Sequence, residues 1–170
     1  MLKDIHFRNV RLKGKDGFLF ADGTQYQPLN EDQGRADIKF FFDWLWHTKN
    51  VRRILKVIVE ESAQPHSDDA IEISLARFKV EELDWQKVDL CPKTVFAVGD
   101  YLRTITLKWS GNNAVLRGWS EREGLVQCPN LREIHLQMDK VRIVVISRRA
   151  CPLLSRQLTF IEIQPGTRIK

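Results

Sequence analysis

The sequence predicts an α/β fold in which repeated strand–helix units form a mostly parallel, leucine-rich-repeat-like sheet. Three observations predict it: strand-like and helix-like segments alternate, four strand-like segments share one apolar spacing, and 43% of the residues are apolar. That apolar content is sufficient for a hydrophobic core. We expect one domain, residues 1–170, with an N-terminal hairpin and loop (5–28), a βα repeat region (30–140) and C-terminal strands (141–170).

The N-terminal segment predicts a β-hairpin over residues 5–21, because IHFRNVRL alternates apolar and polar residues, KGKDG supplies the turn and FLF returns. Asn30 is a good helix N-cap, and Gln33 lies at the reciprocal capping-box position. An amphipathic helix should follow, and Lys49–Asn50 should end it. Its apolar residues at helical spacing are Ile38, Phe41, Phe42 and Leu45.

Further helices are predicted between the strand-like segments. Ser67 caps the first of them, and Asp68 and Asp69 in its opening turn suit the positive end of the helix dipole. Pro92 fits the first turn of a short helix, PKTVFAVG, which Gly99 closes. The stretch SGNN, residues 110–113, should form a turn and the cap of the next helix, and AVLRGWSEREGLV should be partly helical. Strand and helix in this alternation indicate parallel strands joined by right-handed crossovers.

The C-terminal segment has a different pattern. VRIVVIS and QLTFIEIQ have the composition of strands and flank the connection RRACPLLSR. We expect them to form a hairpin at the edge of the sheet.

Four strand-like segments share the template apolar-x-x-apolar-x-apolar, starting at Val51, Val80, Leu102 and Leu131, with separations of 29, 22 and 29 residues. Repeats of about 20 to 29 residues with this strand pattern are typical of leucine-rich repeats, whose units stack to complete a core. Two features depart from that pattern: Lys56 occupies an apolar position of the first unit, and the asparagine of the standard motif is missing. The alternative is an ordinary α/β domain whose strands share the pattern by coincidence.

If the units stack, the outward side chains of the strands form one polar face of mixed charge, which is suited to binding another protein. The predicted face consists of Glu82, Asp84, Gln86, Thr104, Thr106, Lys108, Glu133, His135 and Gln137. The alternative is that these residues are merely solvated or covered by helices, since parallel sheets are normally covered on both faces.

No motif predicts catalysis, a cofactor or a metal. The stretch HSDD, residues 66–69, contains triad residue types, but a catalytic triad converges from separate segments, so Ser67 is interpreted as a helix cap. G-x-S-x-G, the P-loop and G-x-G-x-x-G are absent. The chain has four histidines and three cysteines, widely spaced, which does not favour a zinc site. We therefore expect a protein that is not an enzyme and has no cofactor.

The charge pattern makes nucleic-acid binding the alternative function, after protein binding. The net charge of +5 results from 27 basic and 22 acidic residues that are interspersed, and the nearest basic clusters, Arg52–Arg53 and Arg148–Arg149, are short. The N-terminus lacks the apolar region of a signal peptide, and no apolar run reaches the roughly 18 residues of a membrane span. We expect a cytoplasmic location, no membrane contact and free thiols, and the oligomeric state stays open.

Three sequence segments resemble those of a known family: FFDWLWHTKNVRRILKVIVEE, HSDDAIEISLARFKVEELDWQKVDLCP and LKWSGNNAVLRGWSEREGLVQCPNLREIHL. They resemble the N-terminal, non-peptidase region of fungal intracellular subtilisin-like (peptidase S8 family) proteins, over residues 30–140. In those proteins the region precedes a peptidase domain. The resemblance implies a non-catalytic interaction or regulatory domain associated with a subtilisin-like serine peptidase. No peptidase residue carries over, because the family's Asp, His and Ser belong to the downstream domain, and residues 141–170 depart from the family pattern.

Overall fold

The computed structural model describes residues 1–8, 34–121 and 124–138 with their side chains, and residues 141–146 and 161–164 as backbone strands. Within these residues, five parallel strands alternate with four α-helices, and two further strands complete one seven-stranded sheet. The predicted α/β fold with a mostly parallel sheet is therefore confirmed.

The sheet follows the order of the chain from β1 to β7, with parallel pairing from β1 to β5 and antiparallel pairing of β5 with β6 and of β6 with β7. The last two strands are therefore antiparallel neighbours, as expected for an edge hairpin. The elements are β1 (Leu2–Arg8), α1 (Ile38–His47), β2 (Arg53–Glu60), α2 (Asp68–Leu75), β3 (Lys79–Val88), α3 (Pro92–Val98), β4 (Thr104–Lys108), α4 (Asn113–Ser120), β5 (Glu133–Met138), β6 (Val141–Ile146) and β7 (Ile161–Gln164).

The strand β1 is a parallel strand of the sheet, which the sequence pattern did not predict. It lies parallel to β2, with Leu2 opposite Ile54 and Ile5 opposite Val57. The sequence pattern predicts the first arm of a hairpin here; the turn and the returning FLF lie outside the described residues, as do the predicted cap residues Asn30 and Gln33. The helix predicted to follow Asn30 begins only at Ile38, because Arg35 forms a strand-like bridge with His66 instead. Pairing with β2 makes β1 the first strand of the parallel sheet.

The later units align as predicted. Leu83 of β3 pairs with Ile105 of β4, and Ile105 pairs with Ile134 of β5. All three side chains are buried, because each unit relies on its neighbours to cover its apolar side. The apolar positions of the shared template are thus paired with one another across β3, β4 and β5. The likeness to leucine-rich repeats stays a prediction.

The predicted register of the first unit was wrong by three residues. Ile54, and not Val51, lies opposite Val80, so the template begins at Ile54 and its last apolar position is the fully buried Val59. Val51 belongs to the turn after α1, where its backbone N–H donates to the carbonyl of Leu45. The pattern allowed both alignments because Val51 and Ile54 are both apolar and three residues apart. The correct register also removes the apparent conflict with a lysine at an apolar position.

The core lies between the sheet and the four helices. Phe42 of α1, Ile71 of α2, Val95 of α3 and Trp119 of α4 are all buried in one cluster with apolar side chains of the strands. Right-handed crossovers between neighbouring strands place successive helices on the same side of the sheet. Each large apolar side chain buried there stabilises the fold by roughly 1.5–3 kcal/mol. The strand side chains that alternate with the core form the opposite surface, called the polar face below.

Helix capping bears out two interpretations made from the sequence. The Ser67 hydroxyl accepts a hydrogen bond from the backbone N–H of Ala70 at 3.1 Å, so Ser67 is the N-cap of α2. Asn112 caps α4 in the same way, with its side-chain oxygen 3.0 Å from the backbone nitrogen of Ala114. Both side chains satisfy backbone donors that have no partner within the helix.

Replacing Ser67 with alanine is expected to lower the free energy of unfolding by about 1 kcal/mol, because an N–H at the start of α2 loses its acceptor. Urea denaturation measures the loss. The matched control is Ser67→Asp, which keeps an acceptor and should restore most of it. Equal losses in both variants would contradict the capping role.

Candidate functional site

The polar face brings together most of the side chains that the sequence predicted to point outward. In one row Glu82 lies between Lys56 and Thr104; in the next, Asp84 lies opposite Thr106. Six of the nine predicted residues border a shallow depression of about 220 Å³ together with Lys56 and Leu83. These six are Glu82, Asp84, Thr104, Thr106, Glu133 and His135.

The other three predicted residues lie beyond this depression. Lys108 pairs with Gln137 and continues the face toward the carboxyl ends of the strands. Gln86 does not continue the same ladder, because the register between β3 and β4 shifts between Asp84 and Val88, and Val88 pairs with Lys108. The strand irregularity, which the sequence pattern did not indicate, takes Gln86 out of the predicted row.

The sequence analysis missed the part of the face on β1 and β2. Asp4 pairs with Lys56, and His6 pairs with Ile58. His6 Nε2 lies 3.0 Å from Glu60 Oε1, which joins the two strands at the surface. The available signal was the alternation in β1, with Ile5 buried between exposed neighbours, but the same alternation fits a hairpin arm.

The polar face is net acidic, although the whole chain has a net charge of +5. Its charged residues on β1 to β5 are the acids Asp4, Glu60, Glu82, Asp84 and Glu133 and the bases Arg8, Lys56 and Lys108. Three of the acids form contacts within the face. Besides the contact of Glu60 with His6, Lys56 Nζ lies 3.1 Å from Glu82 Oε2, and His135 Nε2 lies 2.9 Å from Glu133 Oε1. Five carboxylates against three bases give this surface a negative potential that favours a cationic partner.

A second polar group, the buried cluster, lies where β2 ends, beside β3. It consists of Arg35, Asp37, Glu61, His66 and Trp85. The His66 side chain is 2% exposed and the Glu61 side chain 6%. Charged groups so far from water must be paired, because desolvation disfavours them strongly.

Every charge in the buried cluster has a partner. The guanidinium of Arg35 donates to both oxygens of Asp37, at 3.0 and 2.9 Å. His66 Nε2 lies 3.2 Å from Asp37 Oδ1, and its Nδ1 lies 2.9 Å from Glu61 Oε2. The indole N–H of Trp85 donates to Glu61 Oε1 at 2.5 Å. Since both ring nitrogens of His66 face carboxylates, the doubly protonated ring balances the cluster at two positive and two negative charges.

These contacts move two pKa values in opposite directions. Burial alone would lower the pKa of His66, but hydrogen bonding to Asp37 and Glu61 outweighs it, and the pKa is raised above its ordinary 6.5. Burial alone would raise the pKa of Glu61, but hydrogen bonds from His66 and Trp85 hold it below its ordinary 4.5. Both shifts favour the charged pair.

The buried cluster joins three separate segments of the chain. Residues 35 and 66 form a parallel bridge, in which Arg35 N–H donates to the Pro65 carbonyl and Ser67 N–H donates to the Arg35 carbonyl, each at 2.9 Å. Gly34, at φ 75°, permits this approach, since a Cβ there would lie 3.0 Å from the Ser67 nitrogen. The cluster therefore stabilises the carboxyl end of the sheet. No sequence pattern revealed it, because its three segments, at residues 35–37, 61–66 and 85, are separated along the chain.

Other kinds of site have less support in the described residues. There, no group of three or more His, Cys, Asp or Glu residues is arranged to hold a metal ion. In the same part of the chain, no helix combines the length and apolar character that a bilayer crossing needs. Cys91 is a half-buried thiol, and Cys128 is buried. The polar face is thus the strongest candidate site.

Comparison of the chain with protein-family models, with curated proteins and with solved structures gives no match.

Proposed function

We propose that the protein is a non-catalytic interaction module that binds a cationic segment of another protein on its polar face. The observation that carries the proposal is the polar surface that runs across five parallel strands and has more carboxylates than cations, with side chains from every strand in register. Neighbouring strands lie about 4.8 Å apart, so the surface is roughly 20 Å wide. That width suits a protein segment better than a small molecule.

The chemistry of the depression supports a polar partner. Its borders are carboxylates, threonine hydroxyls, a lysine and an imidazole, and the apolar contribution is Leu83. Small-molecule sites are mostly apolar concavities with a few polar groups. A surface of exposed charges gains affinity and orientation from electrostatic complementarity instead. Lysine and arginine side chains of a partner would meet Glu82, Asp84 and Glu133.

The resemblance to a region that precedes subtilisin-like peptidases gives one specific partner to test. We propose that a peptidase of this class, fused to the chain or separate from it, is regulated through contact with the polar face. Support for this partner is the resemblance alone, whereas support for a cationic partner is the charge of the face.

Panning a random 12-residue peptide display library against the full chain tests the proposal. Selected peptides should be enriched in lysine and arginine. Their affinity for the Glu82→Lys, Glu133→Lys variant should fall at least tenfold, because like charges then face each other across the interface. Fluorescence anisotropy of a selected peptide measures the loss.

The matched control reverses the charge of two acidic residues elsewhere, as Asp69→Lys with Glu121→Lys on the exposed helix surface. It should bind like the wild type. Acidic or purely apolar selected peptides would contradict the proposal, and so would an equal loss of affinity in the control, which would indicate attraction to net charge alone.

A further inference from the structure

We infer that the amino-terminal edge of the parallel sheet is a second binding site, separate from the polar face, and that it takes single-stranded nucleic acid. Parallel strands begin at the same edge of a sheet, so residues at the strand starts are brought together whatever their distance along the chain. At this edge the strand starts are basic.

Four exposed cations lie along the edge, each at or directly before the first residue of one strand from β2 to β5. Arg53 lies opposite Lys79. The backbone N–H of Arg132 donates to the carbonyl of Arg103 at 2.8 Å, which joins the starts of β4 and β5. At about 4.8 Å per strand the row extends over roughly 14 Å. We call Arg53, Lys79, Arg103 and Arg132 the basic row.

Most of the positive charge of the basic row is not neutralised by neighbouring carboxylates. Glu81 is the carboxylate that contacts it among the described residues, through ion pairs with Arg53 and with Arg103. Lys79 and Arg132 form no ion pair within the described part of the chain. Four cations against one carboxylate leave an exposed positive strip, which is the electrostatic footprint of a polyanion site.

One aromatic ring contacts a member of the basic row, and two others belong to α1 and lie beside cations that precede β2. The Lys79 ammonium lies 5.0 Å from the ring centre of Tyr101, and the Arg52 guanidinium lies 3.8 Å above the ring of Trp46. Trp44, on the same helix as Trp46, and Tyr101 are each 44% exposed. Rings that can stack on bases, set among cations that can contact phosphates, are how proteins bind single strands. An acidic peptide would offer these rings no bases, so the combination favours nucleic acid.

Anisotropy of a fluorescein-labelled 12-nucleotide oligo(dT), titrated with the full chain at several salt concentrations, tests the inference. Four phosphate contacts predict a slope of log affinity against log salt of about −3, at roughly 0.7 per contact. The variant Lys79→Glu, Arg132→Glu should bind at least tenfold more weakly and with a slope shallower by about 1.4. The charge-matched control, Lys93→Glu with Arg117→Glu on α3 and α4, should keep the wild-type affinity.

Two aromatic variants separate base stacking from general attraction to anions. Trp44→Ala and Tyr101→Ala should each weaken binding about fivefold or more while leaving the salt slope unchanged, because no phosphate contact is lost. Phe96→Ala, an equally exposed ring on α3, should have no effect. The inference is overturned if oligo(dT) does not bind, if the aromatic variants bind like wild type, if poly-glutamate competes equally well, or if only phosphatidylserine vesicles bind. The Glu133→Lys variant, which changes the polar face, should still bind oligo(dT). The outcome of this test is therefore independent of the test of the proposed function.

Discussion

Replacing His66 with alanine is expected to lower the free energy of unfolding by about 3–5 kcal/mol, the largest single effect predicted for this protein. The change removes the cation that lies between Asp37 and Glu61 and leaves two buried carboxylates with less compensation. It also removes the ring that packs edge-on against Trp85, at 5.6 Å between ring centres. Urea denaturation followed by tryptophan fluorescence measures the loss.

The matched control for His66 is His6→Ala. His6 also pairs with a glutamate at 3.0 Å, but the His6 and Glu60 side chains are 34% and 39% exposed. A solvent-exposed pair contributes only about 0–1 kcal/mol, so the control should be nearly neutral. Equal losses in the two variants would mean that burial does not determine the strength of these pairs.

The same pair predicts a pH dependence with a definite sign. Because the folded-state pKa of His66 is raised, the contribution of His66 to the free energy of unfolding is fully present below the ordinary pKa of 6.5. That contribution is lost as the pH rises through the folded-state pKa. Because the folded-state pKa of Glu61 is lowered, the contribution of Glu61 to the free energy of unfolding is present above pH 4.5. That contribution is lost as the pH falls through the folded-state pKa. The contribution of the pair should therefore be greatest between pH 4.5 and 6.5.

Comparing wild type with His66→Gln from pH 5 to pH 9 isolates this dependence, and Gln is used because it keeps a polar side chain without a titrating proton. The difference in unfolding free energy between the two proteins should shrink as the pH rises, since His66 then loses its proton in the wild type. Parallel curves across the whole range would show that His66 is not protonated in the cluster.

Replacing Gly99 with alanine is the second large prediction, with an expected loss of about 1–3 kcal/mol. Gly99 closes α3, as predicted, but with φ −78°, a value that alanine adopts without strain. The obstacle is space: a Cβ would lie 2.4 Å from Cys128 Sγ, and Cys128 is 1% exposed. The variant must therefore displace a packed side chain, which the midpoint of urea unfolding will report.

A double-mutant cycle tests this cause directly. In a Cys128→Ala background the sulfur is gone, so Gly99→Ala should become neutral or stabilising by a few tenths of a kcal/mol through the reduced entropy of the unfolded chain. A coupling energy above about 0.5 kcal/mol identifies the contact as the source of the loss. Additive effects of the two substitutions would show that the backbone, and not the sulfur, requires glycine.

The sequence predicted what depends on local pattern. Alternating strand and helix patterns predicted the α/β fold and the mostly parallel sheet, and Ser67 and the SGNN turn predicted where two helices begin. Period-two alternation also assigned the outward side chains of β3, β4 and β5, since successive residues of a strand point to opposite faces. For the same reason the amino-acid pattern alone identifies most of the polar face.

The tertiary structure decided what depends on register and on contacts between distant segments. Pairing showed that the first unit begins at Ile54 and that β1 joins the parallel sheet, because two apolar residues three apart satisfy one template equally well. Strand pairing also aligned the basic row, whose members are separated from one another by more than twenty residues along the chain. The contact between His66 and Asp37 likewise appears only when the segments around residues 35 and 66 pair with each other. Local sequence carries the periodicity of an element, whereas the neighbours of a side chain are set by how elements pair and by which charges must be satisfied once water is excluded.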